Sequence, residues 1–382
     1  MSSKSRIIIL QRVIPEYRVG VFRRVVCSEN YIIKFVIGCS IAGQKAKNAN
    51  DLSGINLTML PTKVFNLFGR HLFWQYGLLR NLRSERPDVV ICEAESHFLG
   101  YVVAIIYKLI FSQDTKLILW CFYALPGIVE ERSLFHKIVK DVARKCFDGF
   151  ISYSTYGKKY LLEKGVHPSK IVVATNVCNT DKFIEIDSKY CVSKSEAKAR
   201  LKAESKIVVS FIGTLDFAKR PDLILEIQKL LCPDKYHFFI IGDGPMMGHI
   251  KQVIGSEKLN NVVLTGRVQD DLPLYYRGSD IVLVTGRGGI VVSEAMCFGL
   301  PVIVHQADGV EYDLIKNGEN GLILSDGSAR GFADAIISLA DDRERLCKMG
   351  MTARQIVQNC FNSCHMAAAV QDSISNVLRP NY

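Results

Sequence analysis

Short apolar runs recur along nearly the whole chain, and segments of helix length separate many of them. In the first half the runs fall at residues 7–10, 32–37, 57–60, 89–92, 116–120, 150–153 and 171–174; in the second they fall at 207–212, 237–241, 262–264, 281–284, 301–304 and 321–324. The runs are continuously apolar rather than alternating, so their residues belong in a sheet covered on both faces. Helices between successive strands supply that cover and make the pairing parallel. The expected class is α/β, with two doubly wound units. Residues 67–83 and 134–146 are expected as intervening helices. The most apolar window, 99–111, is expected as a buried helix, because it is too short to span a bilayer and contains Lys108.

The length of 382 residues, 48% of them hydrophobic and 23% charged, suits two cores better than one. The stretch 181–205 is charged, poor in large apolar residues and free of strand signals, and is expected as the linker. The domains are then 1–180 and 181–360, with 361–382 a helix returning to the first domain. Ligands of open parallel sheets bind beyond the carboxyl ends of the strands, so two facing units are expected to hold their site in the cleft between them. The twelve cysteines include no CxxC pair, which gives neither a zinc spacing nor a disulfide framework and suggests a reducing, cytoplasmic setting. The polar start runs into the first strand without the pattern of a signal peptide.

Charge divides the chain unevenly. Residues 1–180 hold 25 Lys and Arg against 13 Asp and Glu, whereas the remainder holds 23 against 25. A basic first half points to an anionic partner: lipid head groups, a pyrophosphate-linked acceptor or nucleic acid. A solvated basic face with no partner fits the same charge. Nucleic acid is set aside, because Arg23-Arg24 and Lys158-Lys159-Tyr160 are too short to make a basic, aromatic-interleaved surface.

Four segments in the second half follow expected strands and carry candidate chemistry. In Gly213-Thr214-Leu215-Asp216-Phe217-Ala218-Lys219-Arg220-Pro221, two cations stand beside a helix N-terminus, where the helix dipole disfavours them. A bound diphosphate would remove the conflict. Two exposed basic residues before an ordinary helix read equally well. Gly242-Asp243-Gly244-Pro245 explains itself as a turn. Gly266-Arg267-Val268 could present main-chain groups to a base. The fourth segment, Gly286-Arg287-Gly288-Gly289-Ile290-Val291-Val292-Ser293-Glu294, reads as a glycine loop opening a helix. The glycines let backbone amides approach a ligand. Glu294, on an otherwise apolar helix, needs a partner, and either ribose hydroxyls or local backbone N–H groups could supply one.

Taken together, these segments resemble glycosyltransferase family 4, whose members have the GT-B fold of two facing Rossmann-like domains. The resemblance covers roughly the whole chain and is most specific over 213–324. It implies that Gly213, Thr214 and Lys219 hold the donor diphosphate, that Glu294 binds the donor ribose, and that Arg267, Val268, Gly288, Gly289, Ile290 and Val291 complete the donor site. Lys219, Arg220 and Arg287 are implied as the catalytic cations. Ala295–Val302 matches the following Ala-Met-x-x-Gly-x-Pro-Val, and 308–313 and 317–321 match the usual continuation. In the first half, 15–19 and 176–181 are similar to members that build bacterial surface polysaccharides, with Tyr17, Arg18 and Phe122 on the acceptor side. The chain departs from the pattern in three places. Thr214 replaces a common Arg, for which Arg220, Arg287 or Arg18 could compensate. Gly286 stands where many members have a Glu that touches the donor sugar. Phe122 stands where relatives have a His.

The resemblance implies a retaining, metal-independent transfer of a hexose-type sugar from a nucleotide-diphosphate sugar. The acceptor is expected to be a glycan, lipid-linked, at the inner face of the cell membrane, in O-antigen or capsule synthesis. No DxD pair is present and no cofactor is expected. A sugar-nucleotide epimerase of the same fold and a non-catalytic nucleotide-sugar-binding subunit are the competing readings.

Overall fold

The computed structural model describes residues 4–44, 46–67, 70–93, 98–127 and 144–379. The chain divides into two units, one formed by Met1–Ala124, Ile128–Thr175 and Ser363–Tyr382, the other by Leu125–Gly127 and Asn176–Asn362.

The first unit is built on a parallel sheet of seven strands. In chain order these are β1 (Ser5–Gln11), β2 (Tyr31–Gly38), β3 (Leu57–Leu60), β6 (Val89–Glu93), β7 (Lys116–Cys121), β8 (Gly149–Ser152) and β9 (Ile171–Val173), arranged β3-β2-β1-β6-β7-β8-β9. The centres of β1, β2, β6, β7 and β8 are buried on both faces, as their continuous apolar runs require, while the edge strands β3 and β9 are partly exposed. The C-terminal helix Ser363–Leu378 packs on the helix Val19–Val26 and on the β7–β9 side of this sheet. The Tyr31 and Ser375 hydroxyls, 2.8 Å apart, fasten it further.

Two expectations change in this unit. Residues 67–83 are not one helix. An antiparallel hairpin, β4 (Thr62–Leu67) and β5 (Arg70–Gln75), precedes a short helix, Leu78–Glu85. The run Leu72-Phe73-Trp74 suits a pleated, half-buried surface better than a helix, and Phe73 enters the core. The helix Gly100–Phe111 is one-sided rather than buried all round. Gly100, Val103, Ala104 and Tyr107 are buried, whereas Ile106, Leu109, Ile110 and Phe111 are 39–68% exposed. Most of the helix expected at 134–146 lies outside the described residues.

The second unit has a parallel sheet of six strands: β10 (Ile207–Ile212), β11 (Tyr236–Ile241), β12 (Val262–Gly266), β13 (Ile281–Val284), β14 (Val302–Val304) and β15 (Gly321–Ile323), in the order β12-β11-β10-β13-β14-β15. Phe211, Phe238, Ile240, Leu283, Phe332 and Ile336 belong to its core. The stretch expected as a linker is instead two helices of this unit, Thr180–Lys189 and Lys194–Arg200. Three of the charges that made the segment look solvated, Asp187, Lys194 and Lys198, belong to ion pairs built on a buried carboxylate. Asp187 is paired with Arg277 and Arg354, and Asp280 with Lys194 and Lys198. Removing one partner of such a pair leaves a buried charge uncompensated, so these pairs fix the helices in place.

Candidate donor-phosphate site

Strands β10 and β13 are neighbours in the second sheet, and the loops leaving their carboxyl ends are laced together. The Thr285 hydroxyl lies 2.8 Å from the Lys219 carbonyl oxygen and 3.0 Å from that of Arg220, and can donate to either. The Arg287 N–H donates to the Ala218 carbonyl at 2.9 Å. Gly286 stands where the loops cross: a Cβ there would lie 2.4 Å from the Ala218 carbonyl oxygen and 2.9 Å from the Lys219 Cα. Any side chain at 286 would force the loops apart, which is the local physical reason for a glycine. The turn Gly242–Pro245 braces the same region. The Leu215 N–H donates to the Asp243 carbonyl at 3.0 Å, and the Met246 N–H to the Leu215 carbonyl at 2.9 Å. The self-contained turn expected there is also a structural support.

Lys219 runs its stem past Gly213 and donates from Nζ to the Arg287 carbonyl at 2.9 Å. Its ammonium therefore lies beside the N-terminus of the helix Gly289–Cys297, against Gly288. A cation at the amide end of a helix is disfavoured by the dipole, while an anion entering there would meet both the ammonium and the amides. Lys219, Gly286, Arg287, Gly288 and Val291 line one shallow depression.

Glu294 lies one turn into that helix. The Tyr276 hydroxyl donates to its Oε2 at 2.8 Å, a partner within the protein that the sequence did not suggest. Burial raises the Glu294 carboxyl to about 7, against the opposing effects of the Tyr276 hydrogen bond and the Lys219 charge. Tyr276 is itself fully buried and stacked on Phe298 with centroids 4.6 Å apart. Asp308, in the loop after β14, accepts the Gly289 N–H at 3.0 Å. Burial raises its carboxyl, opposed by the Gly289 and Val310 amides and the charge of Lys219.

The structure thus brings Gly213, Lys219, Arg287, Gly288, Gly289, Val291 and Glu294 together. Thr214 and Ile290 are half-buried beside them, and Arg220 and Arg287 are exposed. Arg267 is exposed and Val268 half-buried just past β12, an edge strand separated from β10 by β11. Thr285, Tyr276 and Asp308 were not among the residues expected from the sequence. Only Asp308 carried a local signal there, as an Asp-Gly step following a strand.

In the first unit, Arg18 is buried, with its guanidinium carbon 5.1 Å from the Tyr17 ring centroid, 5.8 Å from Trp120 and 4.7 Å from Tyr153. It donates to the Met366 sulfur at 3.3 Å. Phe122 packs on Tyr153 with centroids 4.7 Å apart. Arg18 is therefore a packed element of the first unit's core, not an open cation.

Residues 192–356 match the model of the family described as glycosyl transferases group 1. Over 256 residues the chain is 26% identical to an uncharacterized 41.2 kDa protein in the cps region of Klebsiella pneumoniae, a match covering 65% of this chain and 68% of that protein. It is 28% identical over 181 residues to an N-acetyl-alpha-D-glucosaminyl L-malate synthase of Bacillus anthracis, covering 46% of this chain and about half, 47%, of that enzyme. Among solved structures it is similar to HepE of Anabaena in complex with UDP, with a TM-score of 0.74 at 16% identity over 97% of this chain and 99% of that one. The fold is α/β, of the GT-B class.

Proposed function

We propose that this chain is a glycosyltransferase that moves a sugar, of hexose type, from a nucleotide-diphosphate sugar to a glycan acceptor with retention of anomeric configuration. One observation carries the reading. Two glycine-lined loops place the Lys219 ammonium and the amide end of one helix at a single point, with Glu294 a turn further in. A diphosphate suits that point, and ribose hydroxyls suit the carboxylate. The family match over the second unit and the UDP held by the Anabaena protein support the donor class.

In this reading the bond from the anomeric carbon to the diphosphate breaks. The acceptor oxygen bonds to that carbon on the same face, and its proton passes to the departing diphosphate. Lys219, Arg287 and the loop amides take up the negative charge of the leaving group, with no metal or cofactor assigned; such electrostatic stabilisation is commonly the largest catalytic contribution. Turnover unaffected by EDTA is the matching expectation.

A lipid-linked acceptor in O-antigen or capsule synthesis is the finer part of the proposal. The cps-region relative and the basic first half support it. Among the described residues no helix is long and apolar enough to cross a membrane. Peripheral attachment to anionic lipid at the inner face of the cell membrane then predicts vesicle co-sedimentation that weakens as salt rises. Salt-independent sedimentation would count against it.

The test of the reaction is a thermal-shift panel of UDP-, GDP- and dTDP-sugars, followed by incubation of the best donor with and without acceptor glycans. A ligand that binds only the native state raises its melting temperature. Transfer only in the presence of acceptor supports the proposal. Epimerised donor in its absence would replace it with an isomerase, and tight binding without transfer or hydrolysis would leave a binding subunit.

A further inference from the structure

Asp308 has one carboxylate oxygen in use and one idle. Oδ2 accepts the Gly289 N–H at 3.0 Å, while Oδ1 is buried and makes no hydrogen bond of good geometry among the described residues, the Val310 amide acting on the carboxyl only from nearby. An unsatisfied buried acceptor is costly, more so when charged, and few persist in native structures without a purpose. Capping the helix Gly289–Cys297 explains Oδ2 but leaves Oδ1 unexplained.

The surroundings hold this carboxylate in place. Glu311 is fully buried, and its two carboxylate oxygens accept the N–H groups of Ala307 at 2.9 Å and Gly309 at 2.7 Å, the residues on either side of Asp308. The loop carrying Asp308 is therefore clamped by a neighbouring side chain, the kind of support that keeps a binding group in one geometry.

Two successive glycines next to it face opposite charges. A Cβ on Gly288 would lie 2.7 Å from the Lys219 Nζ, and a Cβ on Gly289 would lie 2.3 Å from the Asp308 Oδ1. Ammonium and carboxylate thus stand against one backbone step at the start of one helix. A phosphate is attracted on the Lys219 side and repelled on the Asp308 side, whereas a hydroxyl donates readily to a carboxylate. A ligand with a diphosphate joined to a polyhydroxylated ring satisfies both positions.

We infer that Asp308 binds a hydroxyl of the sugar being transferred and so contributes to the choice of donor sugar. The inference rests on the nucleotide-diphosphate-sugar reading above. It makes Asp308 the carboxylate facing the sugar in a chain whose crowded loop crossing admits only glycine at 286.

The test is calorimetric titration of the full chain and its Asp308→Ala and Asp308→Asn variants with a nucleotide sugar and with the matching nucleoside diphosphate, the base being chosen by thermal shift among UDP, GDP and dTDP. Asparagine keeps an acceptor for the Gly289 N–H, so that variant remains informative if alanine disturbs the helix start. The expected result is a dissociation constant for the nucleotide sugar raised about 10- to 100-fold by alanine, the range for losing a hydrogen bond to a charged group. The diphosphate alone should bind as before or more tightly, since a negative charge near it has gone. Equal weakening of both ligands in both variants, or no change in either, would overturn the inference. Failure of every nucleotide sugar to bind the unaltered chain would instead overturn the transferase reading, and the inference with it.

Discussion

Arg18 and Lys219 occupy corresponding places in the two units and serve opposite ends. Each lies seven residues past the end of a strand, β1 or β10, that is third in the order of its parallel sheet and leads into a helix. After β1 the cation is taken up by the faces of Tyr17, Trp120 and Tyr153 and by the Met366 sulfur, and is buried. After β10 the neighbours are glycines and main-chain carbonyls, so the ammonium stays at a helix N-terminus that can receive an anion. What surrounds the cation decides its setting: aromatic faces make it part of a core, whereas glycine loops leave it beside a helix N-terminus, the proposed diphosphate site.

The contrast can be broken in several ways. Lys219→Ala should lower turnover about 10²- to 10³-fold, the range for removing one charge-stabilising donor, while thermal unfolding stays within ordinary surface-mutant limits. Near-normal turnover in that variant would remove Lys219 from the chemistry. Arg18→Ala should act on stability instead, costing about 2–4 kcal/mol through lost packing and desolvated cation–π contacts, as chemical denaturation would read. An inactive but fully stable Arg18→Ala protein would place Arg18 in the site after all.

The carboxyl raised to about 7 gives a pH signature. Glu294 binds its proton more tightly in the folded chain than in the unfolded chain, where 4.5 applies. Its stabilising contribution is complete below about 4.5 and is lost as pH rises through about 7. Glu294→Gln should flatten that part of the stability curve by about 3 kcal/mol between those limits. Parallel curves for the two proteins would show that the carboxyl is not shifted. A smaller effect belongs to the loop crossing. Gly286→Ala should destabilise by about 1–3 kcal/mol and weaken donor binding, because its Cβ meets the 218–219 backbone.

Much of this was legible in the sequence for a simple reason. Parallel strands buried on both faces announce themselves as unbroken apolar runs, and every run named from the sequence falls on a strand of one of the two sheets. The hairpin β4–β5 escaped because its aromatic residues also fit a helical segment. The supposed linker misled because charge looks like solvation until its partners are known: Lys198 finds Asp280 across 82 residues, and Asp187 finds Arg277 and Arg354. The site divided along the same line. Lys219 and Glu294 sit in local patterns of glycine, strand and helix, but Tyr276 and Thr285 join them only through the fold, and the clamp on Asp308 shows only in three dimensions.

The most direct measurement is the affinity of a nucleoside diphosphate for three proteins: the unaltered chain, Lys219→Ala and Arg18→Ala, titrated at a temperature where all are folded. Binding should weaken about 100-fold or more in Lys219→Ala, the loss of a charge-assisted contact in a site of the proposed kind. Arg18→Ala should bind as the unaltered chain does. Equal affinity in the Lys219 variant, or a larger loss in the Arg18 variant, would contradict the proposed site.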